Sequence, residues 1–274
     1  MLRNCECFNP GLGIFPVLFS TLTGLTFIIT YIISVSNDDV YPYFPTISDT
    51  GGRKPESNVF GLFLSISSFL GFVVVLIRLV QYRHICENNQ EDPSKLLLIN
   101  KVGCAVGAMA CFGATLVANY QDIGSSAKGH AVGALAVFGG GAIYCWFQSY
   151  LSARMLQCGM NTRRLCLLRI ILTVMATVFF VAFLILFYFS TIKWNDGHNP
   201  NHNYATWRSG DGGYTLHVIA SVCEWLCAVS LLLFFISFTR EFNRIRIRIT
   251  VEHHDASFVP FQTSTEEERQ PAYS

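Results

Sequence analysis

The chain reads as an all-α integral membrane protein, a bundle of six transmembrane helices with both termini cytosolic. Three observations predict this. Of the 274 residues, 51% are hydrophobic and only 14% charged, whereas soluble domains carry about 25% charged residues. The apolar residues gather into six runs long enough to cross a bilayer, which takes about 20 residues each. Lysine and arginine are shared unequally between the two ends of those runs, the bias that sets orientation.

The runs are Ile14–Val35, Val59–Val80, Leu96–Ala118, His130–Leu151, Leu165–Ser190 and Tyr214–Phe238. The first is too long for the core of a signal peptide and has no small-residue cleavage site after it, so it is expected to remain as an anchor. Six crossings put both termini on one side. On that side stand Arg3, Arg78, Arg83, Lys95, Arg154, Arg163, Arg164, Arg240 and the tail arginines Arg244, Arg246 and Arg248. The opposite loops hold only Arg53, Lys54, Lys128, Lys193 and Arg208. The richer side is the cytosol. Residues 1–250 therefore form the membrane domain, and the polar stretch 251–274 a disordered cytosolic tail.

The loop from Tyr41 to Gly61 has the densest set of special-geometry residues. Pro42, Pro45 and Pro55 each lack an N–H, so no continuous helix crosses it. Asp49, Thr50, Gly51 and Gly52 form a turn cluster. Asp49, Arg53, Lys54 and Glu56 add both signs of charge. A shaped loop is expected, facing the lumen or the exterior.

Spans three and four carry small residues four apart, Gly103 with Gly107 and Gly129 with Gly133. Such spacing lets helix backbones approach in lipid, and the short connection makes the two an antiparallel, close-packed pair. The fifth-to-sixth connection, Thr191–Gly213, holds Trp194, His198, His202, Trp207, Arg208 and Asp211. Gly197 and Pro200 argue against a helix there, and so against a metal shared by the two histidines. Trp194 is expected at the membrane interface. In the tail, Arg244, Arg246 and Arg248 alternate with isoleucines, the period of an extended segment with one basic face. Beside a membrane this reads as an anchor for anionic lipid.

Ten cysteines sit in or beside the spans, none in the loops opposite the termini, so no luminal disulfide is expected. Cys5, Cys7, Cys86, Cys158 and Cys166 are juxtamembrane, where palmitoylation or an ordinary reduced thiol both fit. A net charge of +1 gives no hint of nucleic-acid binding. No metal signature, phosphate loop or Ser/His/Asp spacing is present, so neither a cofactor nor a catalytic residue is assigned.

Charge inside a bilayer marks a functional candidate. The sixth span has Glu224, with His217 two turns earlier on the same face. Asn119 and Gln121 leave the third span and His130 opens the fourth, near the same membrane face. With Trp225 these form an intramembrane polar cluster under the Tyr41–Gly61 loop. Converging, they would make a headgroup site or a hydrolytic pair; apart, they brace the helices, which is the plainer reading. Glu224 is expected to donate a hydrogen bond to another span, near Asn119 or His130.

The strings FPTISDTGGRKPES, LVANYQ and HVIASVCEWLC followed by FTREF resemble the damage-regulated autophagy modulator (DRAM) family, in order and spacing, from about Phe15 to Ile249. The motif positions in the loop are Ile47, Ser48, Asp49, Thr50, Gly51, Pro55 and Glu56; those in the spans are Asn119, Gln121, His217, Glu224 and Trp225. The resemblance implies a multi-pass protein of lysosomal or endosomal membranes that promotes autophagy, is not an enzyme, and meets proteins of the autophagy machinery. Two rivals stand beside it: a plasma-membrane scaffold for a phosphatidylinositol 4-kinase, and a lipid-modifying enzyme using Glu224 and His217.

Overall fold

A computed structural model describes residues 11–89, 93–121, 126–157, 159 and 161–245. Among them every regular element is helical. The elements are α1 (Ile14–Ser36), α2 (Glu56–Asn89), α3 (Pro93–Asn119), α4 (Ala127–Ala134), α5 (Gly141–Gln157), α6 (Arg163–Asp196), α7 (Tyr214–Ile236) and α8 (Thr239–Phe242). A π-helical segment, Leu135–Gly140, joins α4 to α5 into one span. Six helices are long and apolar enough to cross a membrane. The chain enters and leaves the bundle at one end, here called the terminal end; the connections 37–55 and 197–213 cover the loop end.

Helix α1 shows how a lipid-soluble fold inverts the usual pattern. Its buried face is Pro16, Ser20, Thr23, Thr26, Thr30 and Ser34, at spacings of three and four. Its exposed face includes Leu18, Leu25, Ile28 and Ile32. Lipid is as apolar as leucine, so helices associate through small side chains that permit close approach. The hydroxyls that turn inward are satisfied locally, Thr23 bonding to Phe19 O at 2.7 Å and Thr26 to Leu22 O at 2.7 Å.

Helices α1, α2, α3, α4–α5 and α7 follow one another around a central axis, with α1 returning to α7. Helix α6 lies outside this ring, packed along α7, and buries the smallest share of its length. The ring seals most thinly between α1 and α7, where Ser20 Oγ donates to Leu232 O (3.0 Å) and the Phe19 and Phe235 rings meet at 4.9 Å.

Several helices overshoot the apolar runs. Helix α6 continues six residues past Ser190 to Asp196, because nothing breaks it before Gly197. The connection expected from Thr191 is thus a helical rod first and a loop only from residue 197. Trp194 is buried rather than interfacial, its ring 4.5 Å from both His198 and Trp207.

The glycine pairing differs from the expected one. Gly103 and Gly107 open α3 while Gly129 and Gly133 open the next span, so in an antiparallel hairpin the two pairs lie at opposite ends. Gly103 faces Phe147, Gly107 faces Tyr144 and Val75, and Gly129 faces the Tyr120 ring. The close backbone approach is between Gly133 and Gly113: a Cβ added to either would lie 2.8 to 2.9 Å from the other's carbonyl oxygen.

The tail departs as well. Arg244 is exposed and sits in a turn, its N–H bonded to Glu241 O at 3.2 Å, rather than in an extended segment. Arg246, Arg248 and the stretch 251–274 lie outside the described residues.

Candidate functional site

The loop that carries the motif is folded onto the bundle by the polar residues beneath it. Thr46 Oγ1 accepts from Asp49 N–H (3.0 Å) and starts a single 3-10 turn, Asp49–Gly51. Thr50 then donates to Ile47 O at 2.7 Å and meets Thr30 of α1 at 3.2 Å. Gly51 is required at this point, because an added Cβ would press within 2.6 Å of the Phe60 ring. Arg53 closes the outer side on Asp39 at 3.0 Å.

Three bonds from the spans hold the inner side. Glu224 Oε2 accepts the Ile47 N–H at 2.9 Å. Trp225 Nε1 donates to Pro45 O at 3.1 Å. His130 bridges Ser48 Oγ (2.8 Å) and Tyr120 O (2.7 Å), joining the loop to the α3–α4 connection. The buried carboxyl of Glu224 therefore accepts from the loop backbone, not through a donated bond to Asn119 or His130 as its isolation in the span suggested. A lone buried N–H costs about 1–3 kcal/mol, and Ile47 is only 3% exposed. This is a reason for a carboxylate-bearing residue at position 224 that owes nothing to proton transfer.

The remaining polar residues do not join this set. Asn119 ties α3 to α2 through Ser65 Oγ (3.2 Å) and bonds Thr115 O (2.8 Å). Gln121 is half-buried at the exit of α3, and Glu56 is fully buried in the first turn of α2. His217 belongs to the other loop: its ring stacks at 4.4 Å on Trp207 and lies 6.4 Å from Phe187. The expected stripe of His217 and Glu224 is thus divided between two connections, because Trp207 draws the histidine into an aromatic stack.

That second connection is organised by Asp211, whose carboxylate accepts from Asn199 N–H (2.9 Å), Arg208 N–H (2.8 Å) and His202 Nδ1 (2.8 Å). Burial pushes its pKa up, but the two backbone bonds and His202 outweigh it and hold the group below its ordinary value. Gly213, at φ +77°, turns the chain into α7. The two connections touch where Tyr41 N–H bonds Ala205 O at 3.1 Å. His198 and His202 do not face a common point, and no group of three or more metal-ligating side chains occurs among the described residues.

Sequence reading missed a second polar centre at the terminal end. Arg78 of α2 and Arg169 of α6 are both fully buried and share Glu241 of α8 at 3.0 and 2.7 Å. Arg78 also reaches Gln148, Gln81 and Ser152, and Arg169 reaches Ser152 and Ser237. Phe238 lies between the two guanidinium groups, 5.0 and 4.6 Å from its centroid. The signal was available: Arg169 falls inside the fifth apolar run, where an unpaired charge is not tolerated.

Between the two polar centres the ring encloses a cavity of about 110 Å³. Ile47, Ser48 and Glu224 roof it at the loop end, and Tyr144 and Phe235 close it near the middle of the bundle.

Comparison with known proteins gives the same extent as the fold. Residues 11–245 match the Frag1/DRAM/Sfk1/Cwh43P N-terminal domain. The chain is 31% identical to DNA damage-regulated autophagy modulator protein 1 of Xenopus laevis over 252 residues, covering 92% of this chain and 99% of that one. It is 30% identical to the Homo sapiens protein of that name over 250 residues, 90% and 97% of the two chains. It is likewise 30% identical to DNA damage-regulated autophagy modulator protein 2 of Bos taurus over 248 residues, 90% of each. No solved structure matches. A match that runs from before the first span to just past the last, with similarity over nine-tenths of both partners, establishes that this chain belongs to the Frag1/DRAM/Sfk1/Cwh43P family.

Proposed function

We propose that this chain is a non-enzymatic, multi-pass modulator that promotes autophagy from a lysosomal or endosomal membrane, with both termini in the cytosol. One observation carries the reading: relatives named as autophagy modulators align with it over about nine-tenths of its length. The unequal sharing of lysine and arginine between the two ends supports the orientation. The site chemistry supports a modulator over a hydrolase. Glu224 is engaged by Ile47 N–H and His217 is stacked against Trp207, so the two do not form an acid–base pair. The basic tail would approach anionic lipid on the cytosolic leaflet, leaving the motif-bearing loop to meet luminal partners.

The test uses cells lacking the protein, re-expressing the tagged wild type, Glu224→Gln and Glu224→Leu. Wild type should reach lysosomal or endosomal membranes and restore autophagic flux. Gln keeps an acceptor for Ile47 N–H and should restore most of it; Leu strands that N–H and should lose expression or flux. A Gln variant that folds and localises correctly but is inactive would favour chemistry at this carboxyl. Wild type confined to the plasma membrane would favour the scaffold.

A further inference from the structure

The cavity has a shape and a wall that specify an occupant. It follows α7 from Glu224 to Phe235, eleven residues, or about 16 Å of helix at a rise of 1.5 Å per residue. A volume of about 110 Å³ spread along that length is a narrow slot. For scale, an apolar cavity of about 150 Å³ in another protein admits one benzene ring.

The wall is apolar in effect as well as in composition. The hydroxyls that line it are already bonded: Thr23 to Phe19 O, Ser68 to Cys111 O at 2.5 Å, and Ser48 to His130. Tyr144 Oη is buried without a partner on the floor. A water needs two to four polar partners, and one hydroxyl does not supply them. The roof is closed by Ile47 and Ser48, so nothing large enters from the loop end. The way in is the α1–α7 seam, sealed by the Phe19 and Phe235 rings and the Ser20–Leu232 bond and flanked by lipid-facing Leu18, Leu25 and Leu233. Gly24 faces Leu232 across it with no side chain of its own.

We infer that this slot holds a single acyl chain of a membrane lipid, inserted sideways from the bilayer between α1 and α7. A dry slot forfeits the dispersion contacts of its walls; a polymethylene chain restores them without asking for hydrogen bonds. A fused sterol ring system is too wide for the same space. The occupant touches Ile47, Ser48 and Glu224 at the roof, so its presence bears directly on the residues that hold the motif loop.

The experiment is photolabelling of the full-length protein in phosphatidylcholine nanodiscs. One arm carries phosphatidylcholine with a diazirine midway along one acyl chain; the other carries a diazirine-bearing cholesterol. Labelled positions are mapped by peptide mass spectrometry in wild type and in two slot-filling variants from opposite walls, Ala114→Leu and Thr23→Leu. The acyl probe should label slot residues such as Cys111 and Phe235 as well as outward Phe69 and Leu184. Either filler should cut slot labelling several-fold and leave the outward positions unchanged, which also shows that the variant is folded. Wild type labelled only on its outer surface would overturn the inference, with or without the variants. So would slot labelling by the sterol probe in preference to the acyl probe, or slot labelling that a folded filler leaves intact.

Discussion

Removing Glu241 should destabilise the bundle more than any other single charge change in it. Its two oxygens take three guanidinium N–H bonds, from Arg78 Nη1 at 3.0 Å and from Arg169 Nη1 and Nη2 at 3.1 and 2.7 Å. Both arginines are 0% exposed, so Glu241→Ala leaves two buried positive charges without their counter-charge. Breaking a buried pair from one side costs about 3–5 kcal/mol. Gln148, Ser152, Gln81 and Ser237 still accept from the arginines, which argues for the lower end. At about 2–4 °C per kcal/mol for a chain of roughly this size, the melting temperature should fall by about 10 °C. The assay is thermal denaturation of the detergent-solubilised full chain, followed by fluorescence-detected gel filtration. Glu241→Gln, which keeps an acceptor but not the charge, should fall between. The combined change of Arg78, Arg169 and Glu241 to Met removes all three charges together and should be milder than Glu241→Ala, since an apolar replacement of a whole buried network is often neutral. A Glu241→Ala protein that melts with the wild type would refute the argument. So would a triple variant less stable than the single one.

Three further outcomes follow from the same reasoning. Single cysteines placed at Gly52 and at exposed Gly210 should react with an impermeant thiol reagent only from the lumen or exterior, and one at Thr263 only from the cytosol; cytosolic labelling of Gly52 contradicts the orientation. Asp211 is held below its ordinary value of 3.8, so its contribution to the 197–213 connection is complete above that pH and is lost only as pH falls through the lower folded value. Hydrogen exchange in this connection should therefore be as slow at pH 5 as at pH 7 in wild type and faster at both in Asp211→Asn; acceleration of the wild type already at pH 5 would contradict the sign. Replacing Arg244, Arg246 and Arg248 with Gln should weaken binding of a tail peptide to anionic vesicles, by less at high salt than at low; equal binding at low salt removes the lipid-anchor reading.

The number of spans was legible because hydropathy in a membrane protein is a one-dimensional signal: length and composition decide it, and all six runs reappear as helices. Their ends were less so, since an apolar count stops where lipid stops while backbone hydrogen bonding continues, as α6 does to Asp196. Pairing was the least legible. The GxxxG spacing reports that a helix has a small-residue face, but an antiparallel partner reads that face in the opposite direction, and Gly113 stands outside any such spacing although it makes the closest approach. Glu224 was visible as a buried charge, yet its partner is a backbone N–H, a group that every residue carries and no sequence singles out. Arg78 and Arg169 were visible too, but counting them by membrane side concealed that they share one carboxylate.

Helix α7 explains why the polar positions of the sequence concentrate where they do. At one end Glu224 and Trp225 grip the backbone of the loop at Ile47 and Pro45, using bonds at 2.9 and 3.1 Å. At the other, the turn after Ile236 presents Phe238 and Glu241 to two arginines from α2 and α6. The long middle section between these grips has no polar tie to α1 stronger than the single Ser20–Leu232 bond. A helix fixed at both ends and lightly held between them can part from α1 at its centre without releasing either the loop or the ionic clamp. That is the mechanical condition a side entrance requires, and it places the thin seam beside the slot rather than at either capped end of the bundle.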